Sequence, residues 1–419
     1  MELWLDRAAT ERPEAPAVNG IAYADLDAEA TRWARALAAD GVKAGDHIAT
    51  TLAGVDFALL LHALPKLGAV LVPINTRLTD AERDAVLADA KPARTLDEGV
   101  RPRHEGDIPL RSEADPADVF ARIYTSGTTG APKPVELTYA NFEASALANA
   151  ENLGVEDDDR WLCCMPLFHV GGLSILTRSA INQTEAVIHE RFDVQAVLHA
   201  LEDEAITLVS LVATQLRRLL DAGLEAPPDL RAALVGGGPV PRDLVERADA
   251  VGVPVLPTYG LTETCSQIWT GRPLPGVEMD TTPEGELLVR GPMVAPGAIA
   301  EDGWLHTGDR GSIDAEGTLT VEGRIADTIV TGGENVSAAE VEEALLSHPE
   351  VEDVAVVGRP DPEWGQAVTA FVVGAVDPVE LRAHAGKRIA GYKLPKAIHR
   401  IGEIPRNAAG KILRARLPE

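Results

Sequence analysis

The chain has 419 residues, enough for roughly two to three domains with a sizeable core, which excludes a peptide, a lone small module or a disulfide-stapled scaffold. Its 45% apolar and 25% charged residues put it among ordinary globular chains, away from collagen-like, coiled-coil and disordered compositions. Thirty-eight basic residues against 65 acidic ones give a net charge of -27, which argues against non-specific nucleic-acid binding and against docking on an anionic membrane, and favours small-molecule partners.

The first residues carry Glu2, Asp6 and Glu11 and lack a basic-then-apolar signal pattern. Cys163, Cys164 and Cys265 form no paired framework and no metal-binding spacing, so a reducing, cytoplasmic compartment is expected. Apolar spacing predicts a helix over 26–39 stopped at Gly41, a strand over 47–52, a helix around Phe57 and a strand over 69–73. The apolar stretch 57–74 is broken by His62, Pro65 and Lys66, which fits a buried helix and strand and not a membrane span. A Pro- and Asp-rich loop is expected over 91–116, followed by strands over 161–165, 186–189, 208–212, 232–235 and 253–256, with helices near Ala148, Val197, Leu216 and Leu244 between them. This alternation implies parallel pairing with crossover helices.

Beyond Gly271 the texture changes to short strands, 285–290 and 317–322, as in a β-rich subdomain. From about Arg324 a small α+β domain is expected, with strands over 354–358 and 367–373 and a helix near 379–389. Its first helix, 338–346, is opened by Ser337, and Glu340 three residues on completes a capping-box pattern. The predicted fold is therefore α/β: a large N-terminal α/β domain with stacked sheets and a β-rich subdomain over 1–323, and a smaller α+β domain over 324–419.

The segment YTSGTTGAPK, residues 124–133, is dense in hydroxyls and glycine between an apolar strand (119–124) and a helix beginning near Tyr139. Thr125, Ser126, Thr128 and Thr129 offer donors, Gly127 and Gly130 permit close backbone approach, and Lys133 adds charge, a chemistry suited to a polyphosphate. It lacks the Walker spacing, and its composition fits a Ser/Thr/Gly surface turn equally well.

The ordered string resembles the phosphate-loop signature of the adenylate-forming superfamily of acyl- and aryl-CoA synthetases, luciferases and peptide-synthetase adenylation domains. YGLTET (259–264), HTGD (306–309), GRIADTIVTGGENV (323–336) and PRNAAGK (405–411) resemble its remaining signatures in order, across essentially the whole chain. The resemblance implies ATP, Mg2+ and CoA as co-substrates and metal, with a carboxylic acid activated as its adenylate and then passed to CoA. It implies that Thr262 meets the α-phosphate, that Glu263 binds the Mg2+, and that Tyr259 stacks on adenine beside Gly260 and the run Gly236, Gly237 and Gly238. Asp309 is expected to accept the ribose hydroxyls, a task that an ionised carboxylate's acceptor capacity suits, and Arg324 to contact ribose or phosphate. The small domain is implied to be mobile about a hinge near 324–327. In one orientation it brings Lys411 to the α-phosphate; in the other it brings Gly332 and Gly333, together with Lys393, to CoA. Ala326 departs from the Asp or Lys of many relatives at the hinge.

WLCCMPLFHVGGLS (161–174), LVGGGPVP and YGLTETCSQ resemble the o-succinylbenzoate-CoA ligases of menaquinone biosynthesis. That resemblance implies an acid site lined by His169, Gly171, Ser174, Thr264, Ser266 and Gln267, with any cation supplied from elsewhere, Arg178 being one source. Alternatives are a general aryl- or medium-chain acyl-CoA ligase, an adenylation module loading a carrier protein, and a nucleotide-binding protein without turnover. Segments 91–116 and 267–273 are shorter than in many relatives, which bears on the pocket walls. Oligomeric state is not legible, and a homo-oligomer is allowed.

Overall fold

The computed structural model describes residues 1–97, 108–126, 132–314, 317–406 and 412–418. They divide into two compact units, one of Met1–Glu278 with Arg290–Leu305 and the other of Met279–Val289 with His306–Glu419.

The first unit holds two mainly parallel sheets. In the smaller, strand His47–Thr50 leads through the helix Gly54–Ala63 to Val70–Pro73, and the two strands pair in parallel from His47↔Val70 to Thr50↔Pro73. Strand Val119–Ser126 joins Val70–Pro73 in parallel, and Arg94–Leu96 pairs on the other side of His47–Thr50. The second sheet has seven strands, among them Arg160–Cys163, Glu185–Ile188, Leu208–Val212, Ala232–Gly236 and Val255–Pro257, all parallel to their neighbours in that set. Its strands read as continuous apolar runs because both faces are covered. Helices Val194–Asp203, Ala213–Asp221 and Arg242–Ala250 contribute Val197, Leu201, Leu216, Leu219 and Leu244 to one core with Leu211 and Val235 of the strands. Cys163, Cys164 and Cys265 are buried free thiols, each pushed up by burial.

Several elements differ from expectation in this unit, among them the helix Trp4–Glu11 and the strand Arg94–Leu96, which lies inside the loop expected over 91–116 and pairs in parallel with His47–Thr50. The helix Asp80–Ala90 lies just before the expected loop; Thr79 accepts from the Glu82 amide while the Glu82 carboxylate accepts from the Thr79 amide. The helix Val170–Asn182 is buried on nearly every side, so it lacks the one-sided periodicity that marks a surface helix. The expected loop-to-helix step after residue 131 contains a strand, Pro132–Thr138, antiparallel to Val119–Ser126, and Thr138 then caps the helix Tyr139–Leu153.

In the second unit, four strands, Glu278–Thr281, Glu286–Arg290, Leu305–Ile313 and Leu319–Arg324, follow one another in one sheet. The expected boundary after Gly323 therefore falls inside a hydrogen-bonded pair: Asp309 faces Arg324 and Arg310 faces Gly323 across adjacent strands. The tail has its own sheet, in which Val351–Asp361 and Gly365–Gly374 form the long central hairpin and Thr328–Thr331 pairs with Glu334–Ser337. Helix Ala338–Leu346 buries Val341 and Leu345 in one core with Val354, Val356, Val368 and Val372 of that hairpin. Ser337 caps this helix by accepting from the Glu340 amide at 3.3 Å, but the other half of the expected box is absent: the Glu340 carboxylate receives Lys393 Nζ at 2.6 and 2.7 Å. Among the described residues no helix is long and apolar enough to cross a membrane.

Candidate active site

In the first unit the phosphate-loop signature lies at the tip of the hairpin Val119–Ser126 and Pro132–Thr138. Gly127, Thr128, Thr129 and Gly130 lie outside the described residues. Thr125 is paired with Lys133 across the hairpin and its hydroxyl donates to the Lys133 carbonyl at 3.3 Å. The base of the hairpin is braced by residues that sequence reading missed. Asp89, on the helix Asp80–Ala90, accepts from Tyr124 Oη and from Arg122 at 2.6 Å each, while Arg122 also reaches Glu136 at 3.0 Å. The available signal was Arg122 two residues before Tyr124, a spacing that puts both on one face of a strand. Together these donors hold the Asp89 carboxyl below its ordinary range, the hydrogen bond from Tyr124 being the largest cause.

Strand Pro132–Thr138 packs beside the short turn Thr262–Thr264, so the structure brings the first and second signatures together. Tyr259 and Gly260 lie on strand Tyr259–Leu261, antiparallel to Ser266–Trp269. Gly260 is demanded by close approach: a Cβ there would stand 1.9 Å from the Ser266 carbonyl oxygen. Gly260→Ala should therefore force two backbones apart and lower stability by roughly 1–3 kcal/mol, as overpacking does. Urea unfolding measures this, and an unchanged midpoint would contradict it. Glu263 is anchored by its backbone, whose carbonyl accepts from the Ala295 amide at 2.7 Å, and it is only partly buried. Gly236 ends strand Ala232–Gly236, and Gly237 and Gly238 follow where Thr258 N donates to the Val235 carbonyl at 2.8 Å.

The expected acid-site residues divide into two groups. Thr264 is fully buried, and its hydroxyl is used locally: it accepts from Leu261 N at 2.8 Å and approaches the Ser266 carbonyl at 2.9 Å. Ser266 holds a left-handed φ of 90°. On the other side, His169 precedes the helix Val170–Asn182, which carries Gly171, Ser174 and Arg178. Ser174 Oγ donates to the Gly171 carbonyl at 3.2 Å. Arg178 ties this helix to Gln267 Oε1 at 3.4 Å and to Ser145 Oγ at 3.1 Å, and lies 5.6 Å from the centre of the Trp161 ring.

The charges of this second group follow from burial. Desolvation, with Arg77 adding to it, pulls His169 down to about 4, so its ring is neutral at physiological pH. Burial also pulls Arg178 down, to about 10, which still leaves it charged near neutrality. Arg178 is 2% exposed, its Nε has no hydrogen-bond partner, and no carboxylate among the described residues forms an ion pair with it. A buried charge without a counter-ion is costly and calls for an anion.

In the second unit, Asp309 is nearly buried and Arg324 Nε reaches its Oδ1 at 2.8 Å. Arg324 also donates to the Thr307 carbonyl at 2.9 Å. The HTGD segment is held by Glu286, which sequence reading missed: it pairs with His306 at 3.0 Å and accepts from the Gly308 amide at 2.9 Å. Gly332 and Gly333 form the two-residue turn between Thr328–Thr331 and Glu334–Ser337, with φ of 58° and 85°, the left-handed pair that such a hairpin requires. Gly332 N donates to the Trp364 carbonyl at 2.8 Å. Lys393, expected at CoA, is engaged by Glu340. Lys411 lies outside the described residues; its neighbours Arg406 and Ile412 are bridged to one another.

No group of three or more His, Cys, Asp or Glu among the described residues could hold a metal alone. The donor set, a partly exposed Glu263 beside the phosphate-loop hairpin, fits a cation that arrives on phosphate oxygens and takes one protein carboxylate.

The AMP-binding enzyme family matches this chain over residues 5–107 and 94–298, and the AMP-binding enzyme C-terminal domain matches 340–411. The chain belongs to the AMP-binding enzyme family. Within it, the similarity runs to acid-CoA ligases. A 2-succinylbenzoate-CoA ligase of Bacillus cytotoxicus is 38% identical over 100% of this chain and 98% of its own length. The o-succinylbenzoate CoA synthetase of Bacillus subtilis in complex with its acyl-adenylate intermediate superposes with a TM-score of 0.95 at 35% identity, covering 100% of this chain and 98% of that one. The same enzyme with ATP and magnesium ion gives 0.94 at 35% identity, with 100% and 99% covered. A Mycobacterium tuberculosis fatty acyl CoA synthetase gives 0.75 at 29% identity, with 98% and 96% covered.

Proposed function

We propose that this AMP-binding enzyme is an ATP-dependent acid-CoA ligase whose acid is o-succinylbenzoate. The substrate carboxylate attacks the α-phosphorus of ATP, forming the acyl-adenylate and releasing pyrophosphate; the CoA thiol then attacks the acyl carbon and AMP leaves. Thr262 and the phosphate-loop donors hold the phosphates, and Tyr259 with the glycine run holds adenine. Asp309 receives the ribose hydroxyls while Arg324 fixes its orientation. Glu263 holds Mg2+, which supplies charge neutralisation on the phosphate oxygens. Lys411 stabilises charge that develops on the α-phosphate in the transition state, an interaction that raises rate and not merely affinity. The 324–419 body turns about residues 324–327 between the two half-reactions, a gating motion, and the Gly332–Gly333 turn serves the second. The buried free cysteines fit a reducing cytoplasm.

The observation that carries the choice of acid is the buried Arg178 guanidinium, which has no counter-ion among the described residues and is hydrogen-bonded to Gln267, one of the expected acid-site residues. An acid that brings a second, spectator carboxylate supplies the missing counter-ion, directly or through water; a fatty or simple aryl acid does not. Thioester formation should favour o-succinylbenzoate over the same keto acid without its ring carboxylate by on the order of 100-fold in kcat/KM, because the poorer substrate leaves the cation unpaired. Arg178→Met should shrink that preference to a few-fold. Equal rates for the two acids in the wild type would reject the assignment.

A further inference from the structure

One side chain near the C-terminus of the described residues has three separate partners in the body of the second unit. Arg414 Nε donates to the Val356 carbonyl at 3.0 Å, its Nη2 to Glu342 Oε1 at 2.7 Å, and its Nη1 lies 3.2 Å from Asp327 Oδ2. These partners belong to three elements: the strand Val351–Asp361, the helix Ala338–Leu346 and the short turn Ile325–Asp327. Glu342 Oε1 also accepts from Val356 N at 2.8 Å, so Arg414, Glu342 and Val356 form one closed network. The side chains of Arg414, Glu342 and Asp327 are only 19%, 15% and 27% exposed. Burial raises the Glu342 carboxyl to about 7 and the Arg414 guanidinium opposes that rise.

Plain attachment of the tail needs none of this, since Ile404, Ile412 and Leu417 already pack with Ala355, Val357 and Phe371. What the arginine adds is a link between the tail and Asp327. That residue is the last of the turn that follows the last strand of the four-stranded sheet, and it stands next to Ala326, where the expected hinge has no polar side chain. A second tie holds the other arm: Arg406 reaches Asp353 at 2.7 Å, and Leu413 N donates to the Pro405 carbonyl at 2.7 Å. Lys411 stands between these arms in the sequence, three residues before Arg414.

We propose that Arg414 is a positioning residue for adenylation, clamping the segment that bears Lys411 to the root of the mobile body at Asp327 and to its first helix at Glu342. The proposal rests on the reading of Lys411 as the adenylation cation. With the clamp closed, rotation starting at 324–327 carries the lysine as part of a stiff body; with it open, the ammonium group is tethered but not aimed. Errors near 1 Å in such placement cost about 100-fold in rate. The clamp has no function in the CoA half-reaction, for which Lys411 is withdrawn.

The test uses the full-length enzyme and four variants: Arg414→Met, Arg414→Lys, Asp327→Asn and Lys411→Ala. Pyrophosphate–ATP exchange reports adenylation, and thioester formation from supplied o-succinylbenzoyl adenylate reports the second step. Arg414→Met should lower the exchange kcat by about 10- to 100-fold with KM for ATP changed less than about 3-fold, and Arg414→Lys should recover part of the loss. Asp327→Asn, which removes only one partner of a partly exposed pair, should show the same selectivity at about 10-fold and remains informative if Arg414→Met folds poorly. Thioester formation should stay within about 3-fold in the two Arg414 variants. Equal loss of both half-reactions, or exchange unchanged in both Arg414→Met and Asp327→Asn, overturns the clamp while leaving the ligase reading intact. Unchanged exchange in Lys411→Ala overturns the parent reading of the lysine and the clamp with it.

Discussion

Replacing Lys411 by alanine is expected to slow acyl-adenylate formation by about 100- to 1000-fold, the cost of losing one preorganised donor to developing charge. The same enzyme should convert supplied adenylate to thioester within about 3-fold of the wild-type rate. The reasoning is that an ammonium group aimed at the α-phosphate strengthens its interaction as the phosphorus becomes crowded with negative charge, so its loss appears in kcat and not in the KM for ATP. A loss shared equally by both half-reactions would show that the lysine holds the fold or the nucleotide and not the transition state.

The second large effect is the mirror image. Gly332→Val should spare pyrophosphate exchange and depress thioester formation from the adenylate by at least about 10-fold. A Cβ at this position would stand 2.9 Å from Trp364 Cε3, so the indole or the turn must shift. The backbone is also left-handed there, at φ 58°, a conformation that costs a β-branched residue roughly 1–3 kcal/mol. Both penalties fall on the turn between Thr328–Thr331 and Glu334–Ser337, which is proposed to face the site only when CoA reacts. Alanine should give a smaller effect of the same kind. A Gly332→Val enzyme that loses exchange and retains the thioester step would reverse the proposed division of labour.

Much of the fold was legible because its residues carry one-sided or continuous apolar patterns. The strands 208–212 and 232–235 appear where continuous Val, Leu and Ala runs place them, and the capped start at Ser337 is found at the same residue. The missed elements have physical reasons. Strand Leu305–Ile313 does alternate, but the inward positions are Thr307, Asp309 and Gly311 in addition to Leu305, so the period of two is carried by polar and small groups that do not register as a core face. Helix Asp80–Ala90 buries only Val86 and Ala90, and its clearest mark was the Thr79–Glu82 cap in a stretch read as approaching a loop. Helix Val170–Asn182 failed for the opposite reason, being buried almost all round.

The expected site rests on ordered strings, whereas the residues that support those strings carry no such mark. The turn Thr262–Thr264 packs beside strand Pro132–Thr138, and Tyr259 and Gly260 lie on the strand just before that turn. Asp89, Glu286 and Arg414 belong to no string, and each acts through contacts with residues 20 or more positions away or on another element: Asp89 with Arg122 and Tyr124, Glu286 with His306, Arg414 with Asp327 and Glu342. Such pairings are set by packing and leave no spacing rule in the chain. Lys393, expected at CoA, is paired with the Glu340 carboxylate, a contact that the spacing of the two residues did not announce.

The measurement that bears most directly on the ligase reading follows the carboxylate oxygen. When o-succinylbenzoate labelled with 18O in its succinyl carboxylate is turned over with ATP, magnesium and CoA, one labelled oxygen should appear in AMP, because the oxygen that attacks the α-phosphorus stays on the nucleotide when the thiol displaces it. Label in inorganic phosphate or pyrophosphate, or thioester formed with unlabelled AMP, would contradict an acyl-adenylate.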